Sequence, residues 1–132
     1  MRYRDWATRL ANAIKAASGR PFSWGENDCC VFAAACCMAV CGVDPLAAYR
    51  GRYSTEQGAK RVLRAGHGSL AALWDAHFQR IDPALIQRGD VALYESPNGC
   101  GVAVWWAGDF WAPGDTGLER TDCVPEVVWR VE

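Results

Sequence analysis

Residues 21–41 constrain the fold more than any other part of the sequence. They begin with a loop-like mixture of aromatic residues, proline and glycine, and after Asp28 they are almost all Ala, Cys, Val, Phe or Met. Asp28 supplies the side-chain oxygen typical of a helix N-cap, and Gly42 is a typical helix stop. Because the helix predicted over residues 28–41 is apolar around its whole circumference, we expect it to be buried at the centre of the protein.

Cys29 is the residue of this segment whose position most clearly suggests a reactive side chain. It falls in the first turn of the predicted helix, where unpaired backbone N–H groups and the positive end of the helix dipole stabilise a thiolate. The carboxylate of Asp28 partly opposes this effect. Cys29 is therefore a candidate nucleophile, and a buried packing thiol is the alternative interpretation.

Three further helices are predicted from apolar spacing and capping residues. Residues 5–18 carry Trp6, Leu10 and Ile14 on one face, which predicts an amphipathic first helix. A single helical turn is predicted over residues 44–49. Ser54 or Thr55 can cap a helix that runs to about Ala65, and Ser69 can cap another that ends near His77, before residues 81–83 turn the chain.

After Gly89 the apolar pattern changes from helical to alternating. It predicts four short strands, separated by turns that include residues 96–99, and an additional edge strand over residues 116–121. The predicted fold is α+β, with N-terminal helices packed on a small C-terminal antiparallel sheet. At 132 residues, we expect a single domain over residues 1–132.

Charge and hydropathy exclude several classes of protein. The formal net charge is only −1, and the twelve arginines and two lysines are scattered along the chain. That distribution argues against a nucleic-acid partner and against a polybasic membrane patch. No segment approaches the ~20 apolar residues of a membrane span, and the N-terminus lacks the apolar core of a signal peptide. We expect synthesis in the cytoplasm and no membrane span.

The seven cysteines are unusual in number and position. Five of them crowd into the predicted central helix, at Cys29, Cys30, Cys36, Cys37 and Cys41. Cysteines two helical turns apart are too distant for a disulfide, so most are interpreted as small buried hydrophobic residues. A zinc or iron–sulfur site is the alternative, but it needs about four converging thiolates, and the sequence has no pair spaced Cys-x-x-Cys. No metal or cofactor is predicted.

Two motifs resemble the NlpC/P60 superfamily of papain-like cysteine peptidases. They are Trp24-Gly25-Glu26-Asn27-Asp28-Cys29-Cys30-Val31-Phe32 and Arg88-Gly89-Asp90-Val91-Ala92-Leu93-Tyr94. Residues 42–45, 49–54 and 129–130 are similar to a narrower group of short NlpC/P60-like proteins from the tails of bacteriophages and prophages. The resemblance covers residues 6–130 and implies a papain-like core.

The resemblance also implies a catalytic histidine, which this sequence lacks. The family places that base on the strand after the Gly-Asp motif, where this chain has Gly99 or Cys100. The third polar group of the family site would fall in residues 110–113, which contain no His, Asn or Gln. Since His67 and His77 lie elsewhere in the sequence, they are interpreted as surface or capping residues. A peptidase needs a base beside its thiol, so the sequence predicts a degenerate site.

An aromatic cluster supplies further candidate binding residues. Strand alternation places Trp106 on the core face and Trp105 on the opposite face, with Phe110 and Trp111 nearby. An exposed Trp can stack on a sugar ring of peptidoglycan or anchor a protein interface. The candidate binding residues are Trp24, Asp28, Asp90, Trp105 and Trp111. Asp28 is also the predicted helix cap, and Asp90 is expected to order a loop rather than to act as an acid.

These observations favour a structural component of a phage tail tip or baseplate, with an NlpC/P60-like fold that keeps Cys29 but lacks its base. Its expected location is the virion, and its expected partners are other tail or baseplate proteins. An active cysteine endopeptidase that cleaves peptidoglycan during cell-wall penetration is the first alternative. A protein that binds a metal or an iron–sulfur cluster through thiolates is the second.

Overall fold

The computed structural model describes residues 1–96 and 99–132. The turn predicted at residues 96–99 therefore falls largely on Pro97 and Asn98, outside the described residues. The described helices are α1 (Trp6–Ala17), α2 (Cys29–Cys41), α3 (Glu56–Ala65) and α4 (Leu70–Asp75). The strands are β1 (Gln79–Ile81), β2 (Val91–Ser96), β3 (Gly99–Trp106), β4 (Asp109–Pro113), β5 (Leu118–Thr121) and β6 (Val127–Arg130).

Helix α2 is the central buried helix that the sequence predicts. Its N-terminus is capped by the Asp28 carboxylate, which accepts a hydrogen bond from the Val31 N–H at 2.9 Å. It ends at Gly42, whose φ of 78° lies in the left-handed region. Six of its side chains are buried, and they join the main core with residues of α1 and of the sheet: Phe32, Ala33, Ala34, Cys36, Cys37 and Val40.

The predicted caps of the next two helices are also confirmed. The Thr55 hydroxyl accepts a hydrogen bond from the Gly58 N–H, and the Ser69 hydroxyl accepts one from the Ala72 N–H. Both hydroxyls satisfy N–H groups that have no partner within their own helix. At the single helical turn predicted over residues 44–49, the chain forms hydrogen-bonded turns, in which the Ala47 N–H donates to the Asp44 carbonyl and the Tyr49 N–H to the Leu46 carbonyl.

All strands belong to one antiparallel sheet in the order β1-β6-β2-β3-β4-β5. One face packs on α2 through residues such as Val91, Val102 and Val104. The other face carries a smaller cluster that includes Ala103 and Phe110. The α+β architecture, with helices packed on a C-terminal antiparallel sheet, is confirmed. Among the described residues, no helix has the length and apolar character to cross a membrane.

Strand β1 corrects one part of the sequence prediction. The region before Pro83 was expected to be a fraying helix followed by a turn, but α4 ends at Asp75 and residues Gln79–Ile81 form a strand. The strand is short and two of its three residues are exposed, so it has no alternation of its own to reveal it. It exists because it pairs with β6, which is distant in sequence.

Asp90 is fully buried and joins the two ends of the chain. Its carboxylate forms ion pairs with Arg2 and Arg130, both at 3.0 Å. The same carboxylate accepts hydrogen bonds from the backbone N–H groups of Gln87, at 2.8 Å, and Val131, at 3.1 Å. A buried charge is tolerated when it is paired and hydrogen-bonded in this way. Asp90 thus orders the loop before β2, the role expected from the sequence.

Candidate functional site

Cys29 faces a cleft of about 360 Å³ between the N-terminus of α2, helix α3 and the start of β3. The floor contains Cys29 and Cys30, and one wall is formed by residues 99–101 of β3. Strand β4 pairs with Val104–Trp106 of β3. The start of β3 lies beyond that pairing and borders the cleft. The remaining lining residues are Phe22, Trp24, Glu56, Ala59, Lys60, Leu63, Leu70, Tyr94, Ala112 and Pro113.

The loop before α2 holds Trp24 over this cleft. Its ring packs edge-on against Phe22, with centroids 4.9 Å apart. Gly25 has a φ of 81°, and a Cβ there would collide with the backbone carbonyl of Tyr53. Only glycine combines that left-handed conformation with such a close approach. The side-chain amide of Asn27 donates to the carbonyls of Arg20 and Pro21, both at 3.0 Å, which fixes the loop from below.

The Asp28 carboxylate is fully engaged by the fold. One oxygen caps α2, and the other accepts hydrogen bonds from the Gly25 N–H at 2.9 Å and the Tyr53 O–H at 2.6 Å. Asp28 itself is buried. These contacts join the Trp24 loop, the start of α2 and the segment before α3, so Asp28 positions the cleft rather than serving as a free base.

The pKa of Cys29 is lower than that of an ordinary thiol. A hydrogen bond with the Cys30 thiol lowers the pKa of Cys29, and the backbone N–H of Val102 adds to the effect. Burial and the negative charge of Asp28 act in the opposite direction. The same hydrogen bond and burial raise the pKa of Cys30 well above its ordinary value. Of the two neighbouring thiols, Cys29 is the one whose pKa is shifted toward the thiolate.

Cys100 and Tyr94, from adjacent strands of the sheet, line the same cleft as Cys29. Cys100 is exposed, and partial burial followed by the charges of Glu126 and Glu95 raises its pKa. Tyr94 is opposite Gly101 in the β2–β3 ladder, and the missing side chain leaves room for its phenol. Burial raises the pKa of Tyr94 to about 12. Tyr94 therefore stays protonated at neutral pH and is available as a hydrogen-bond donor.

Both histidines lie together at another place. The Tyr49 hydroxyl is hydrogen-bonded to Nδ1 of His67, and it also accepts from the His67 backbone N–H at 2.9 Å. The His67 and His77 rings have centroids 6.4 Å apart, and both residues are exposed. Burial, followed by the proximity of His67, lowers the pKa of His77. Neither histidine is among the residues that line the cleft.

The five candidate binding residues do not form one site. Trp24 and Asp28 lie at the cleft, whereas Asp90 is part of the buried ion-pair cluster and Trp105 and Trp111 do not line the cleft. Trp105 belongs to the smaller cluster on the outer face of the sheet, where its ring packs edge-on against Phe110. Trp111 donates its indole N–H to the carbonyl of Trp106 at 2.8 Å.

The strand alternation that assigned Trp105 and Trp106 to opposite faces is confirmed, since Trp106 packs on the main core. Sequence reasoning missed Tyr53, Lys60 and Tyr94 as residues of the site. Tyr94 could have been found, because it is the last residue of the Gly-Asp motif and lies opposite Gly101 of the next strand.

All seven cysteines are free thiols. Within residues 1–96 and 99–132, no group of three or more His, Cys, Asp or Glu side chains is arranged to hold a metal ion. The chemistry that the cleft offers therefore rests on the thiol of Cys29, the phenol of Tyr94 and the ammonium of Lys60.

Comparison with known proteins gives a family but no activity. No curated protein matches the sequence. A family model described as a domain of unknown function, DUF6950, matches residues 1–131. Because that match extends over nearly the whole sequence, the chain belongs to the DUF6950 family.

Proposed function

We propose that this protein is a structural component of a phage tail tip or baseplate, built on an NlpC/P60-like domain that has lost its catalytic base. The proposal rests on the motifs at residues 24–32 and 88–94, which resemble tail proteins of that superfamily. One structural observation supports the proposed loss of the catalytic base. Gly99 and Cys100, one of which stands where the resemblance implies a histidine, line the cleft together with Cys29, whereas His67 is hydrogen-bonded to Tyr49 and His77 lies beside His67.

The other ionisable groups of the cleft support a role without catalysis. A general base must be free to accept the thiol proton within hydrogen-bond reach. Asp28 already accepts three hydrogen bonds, and Glu56 is paired with Lys60 at 3.2 Å. The Asp28 carboxylate is therefore fully engaged in the fold, and the Glu56 carboxylate is paired at the surface of α3.

Two surfaces are proposed to contact neighbouring tail proteins. The first surrounds Trp105, which borders a groove of about 300 Å³ together with Arg88. The second is the loop with Arg50 and Arg52, where Arg50 is tied to Asp44 at 2.7 Å and Arg52 is exposed. Tryptophan and arginine are enriched at the energetic centres of protein interfaces.

We expect the double variant Trp105→Ala/Arg52→Ala to enter tails poorly while the isolated protein stays folded. Interface anchors weaken binding more than they weaken folding. The test is quantitative mass spectrometry of purified particles from the strain that encodes the chain, combined with melting temperatures of the purified variants. Leu85→Ala/Arg4→Ala, which removes an exposed apolar residue and an exposed arginine elsewhere, is the control. Normal incorporation of the double variant would exclude these surfaces, and absence of the wild type from particles would exclude the tail role.

An active cysteine peptidase is the second candidate, because the pKa of Cys29 is lowered and its thiol faces a cleft. We expect no cleavage of muropeptides by the wild type, and the same result for Cys29→Ala. Liquid chromatography of muropeptide digests measures this directly. Turnover by the wild type that disappears in Cys29→Ala would contradict the proposal of a degenerate site.

A further inference from the structure

A cationic groove lies beside the Cys29 cleft along one face of α3, and all the residues that line it belong to this helix. Its volume is about 470 Å³, and its lining includes Lys60, Arg61 and Arg64 from consecutive turns of α3. Lys60 lines both the groove and the cleft, so the two cavities adjoin along this helix. A ligand that occupies the cleft can therefore extend along α3 into the groove.

The charge of this groove is only partly neutralised by the protein. Lys60 pairs with Glu56 on the previous turn. Among the residues that the structure describes, neither Arg61 nor Arg64 has a carboxylate within ion-pair distance. Two guanidinium groups are thus left to face the groove, and guanidinium is the group best suited to grip a carboxylate.

The cleft has the opposite character. Phe22, Trp24, Leu63 and Leu70 supply large apolar walls, while the polar groups are the Tyr94 phenol and the ion pair of Lys60 with Glu56. Concave apolar surfaces with a few placed polar groups are typical of ligand sites. The cleft favours an apolar side chain, and the neighbouring groove favours negative charge.

We propose that the cleft and the groove together bind an acidic peptide segment of a partner protein. An apolar side chain of the segment lies in the cleft against Trp24, above the thiol of Cys29. Carboxylates that follow it in the peptide contact Arg61 and Arg64. This site does not depend on the tail role: the isolated protein would bind such a peptide whether or not it enters a virion.

The test uses an acetylated tetrapeptide of two leucines followed by two glutamates, and the same peptide with glutamines instead of glutamates. Isothermal titration calorimetry measures both affinities at low salt. We expect the acidic peptide to bind at least about tenfold more tightly, which corresponds to about 1.4 kcal/mol, because its carboxylates form charge-assisted hydrogen bonds that the glutamine peptide cannot form. The acidic peptide should also slow the alkylation of Cys29, because its leucine covers that thiol.

Arg61→Gln/Arg64→Gln removes the unpaired cations and should abolish the preference for the acidic peptide. Arg4→Gln/Lys15→Gln removes two exposed cations elsewhere and should retain it. Equal affinity for the two peptides, an unchanged preference in the groove variant, or binding that leaves Cys29 alkylation unaffected would each overturn the proposal. A free glutamate solution distinguishes a peptide site from simple anion binding: it should neither bind measurably nor protect Cys29, and protection by it would also contradict the proposal.

Discussion

Asp90→Ala is expected to lower the free energy of unfolding by about 3–5 kcal/mol, the range measured when one partner of a buried ion pair is removed. The substitution leaves Arg2 and Arg130 without their shared carboxylate. It also leaves the backbone N–H of Val131 without its acceptor in the core. Urea denaturation followed by tryptophan fluorescence measures the change.

The matched control for Asp90 is Asp5→Ala. Asp5 also forms an ion pair with an arginine, Arg9, at 2.8 Å, but both side chains are largely exposed. Surface pairs contribute little to stability, so this variant should unfold at nearly the wild-type urea concentration. If the two variants lost the same stability, the buried cluster would not join the chain ends as described.

Asp28→Ala is expected to have the second largest effect, a loss of about 2–4 kcal/mol, because it removes a helix cap and leaves buried donors unpaired. Those donors are the Gly25 N–H, the Val31 N–H and the Tyr53 hydroxyl. Asp28→Asn retains the cap oxygen but turns an N–H₂ group toward the Gly25 N–H, so we expect a smaller loss. Thermal unfolding followed by circular dichroism would rank the two variants.

The same substitutions change the reactivity of Cys29. The negative charge of Asp28 raises the pKa of Cys29, so its removal should lower that pKa and increase the thiolate fraction at neutral pH. We expect Asp28→Asn to be alkylated at Cys29 faster than the wild type. The difference should shrink at alkaline pH, where Cys29 is ionised in both proteins. Tyr53→Phe keeps the Asp28 charge and should not accelerate the reaction. Slower alkylation of Asp28→Asn would contradict the electrostatic account.

Much of the helical half of the fold could be predicted because its signals are local. An all-apolar segment between Asp28 and Gly42 has one stable location, and Thr55 and Ser69 mark helix starts whatever the rest of the chain does. Strand β1 could not be predicted in this way. Residues Gln79–Ile81 become a strand through pairing with β6. The three residues themselves contain no pattern that would predict this pairing.

In the candidate site, too, the residues with local sequence signals could be predicted and those placed by long-range packing could not. Cys29 and Asp28 were found because a helix start is readable from sequence. Lys60 and Tyr53 were missed because their place at the cleft depends on how α3 and the loop before it fold over α2. The sequence also predicts Asp90, Trp105 and Trp111 as binding residues, from a motif and from aromatic character, but none of the three lines the cleft.

The order of strands in the sheet differs from the order in which the ribosome makes them. Strands β2 to β5 follow one another as neighbours, so each can pair with the previous one soon after it emerges. Strand β6 lies between β1 and β2, and it brings Trp129 against Trp74 with ring centroids 6.3 Å apart. Until residues 127–130 are synthesised, β1 has no neighbour and the core around Trp74 stays open. Closure of the sheet is therefore a long-range step, and a chain in which β6 has not yet paired exposes apolar surface.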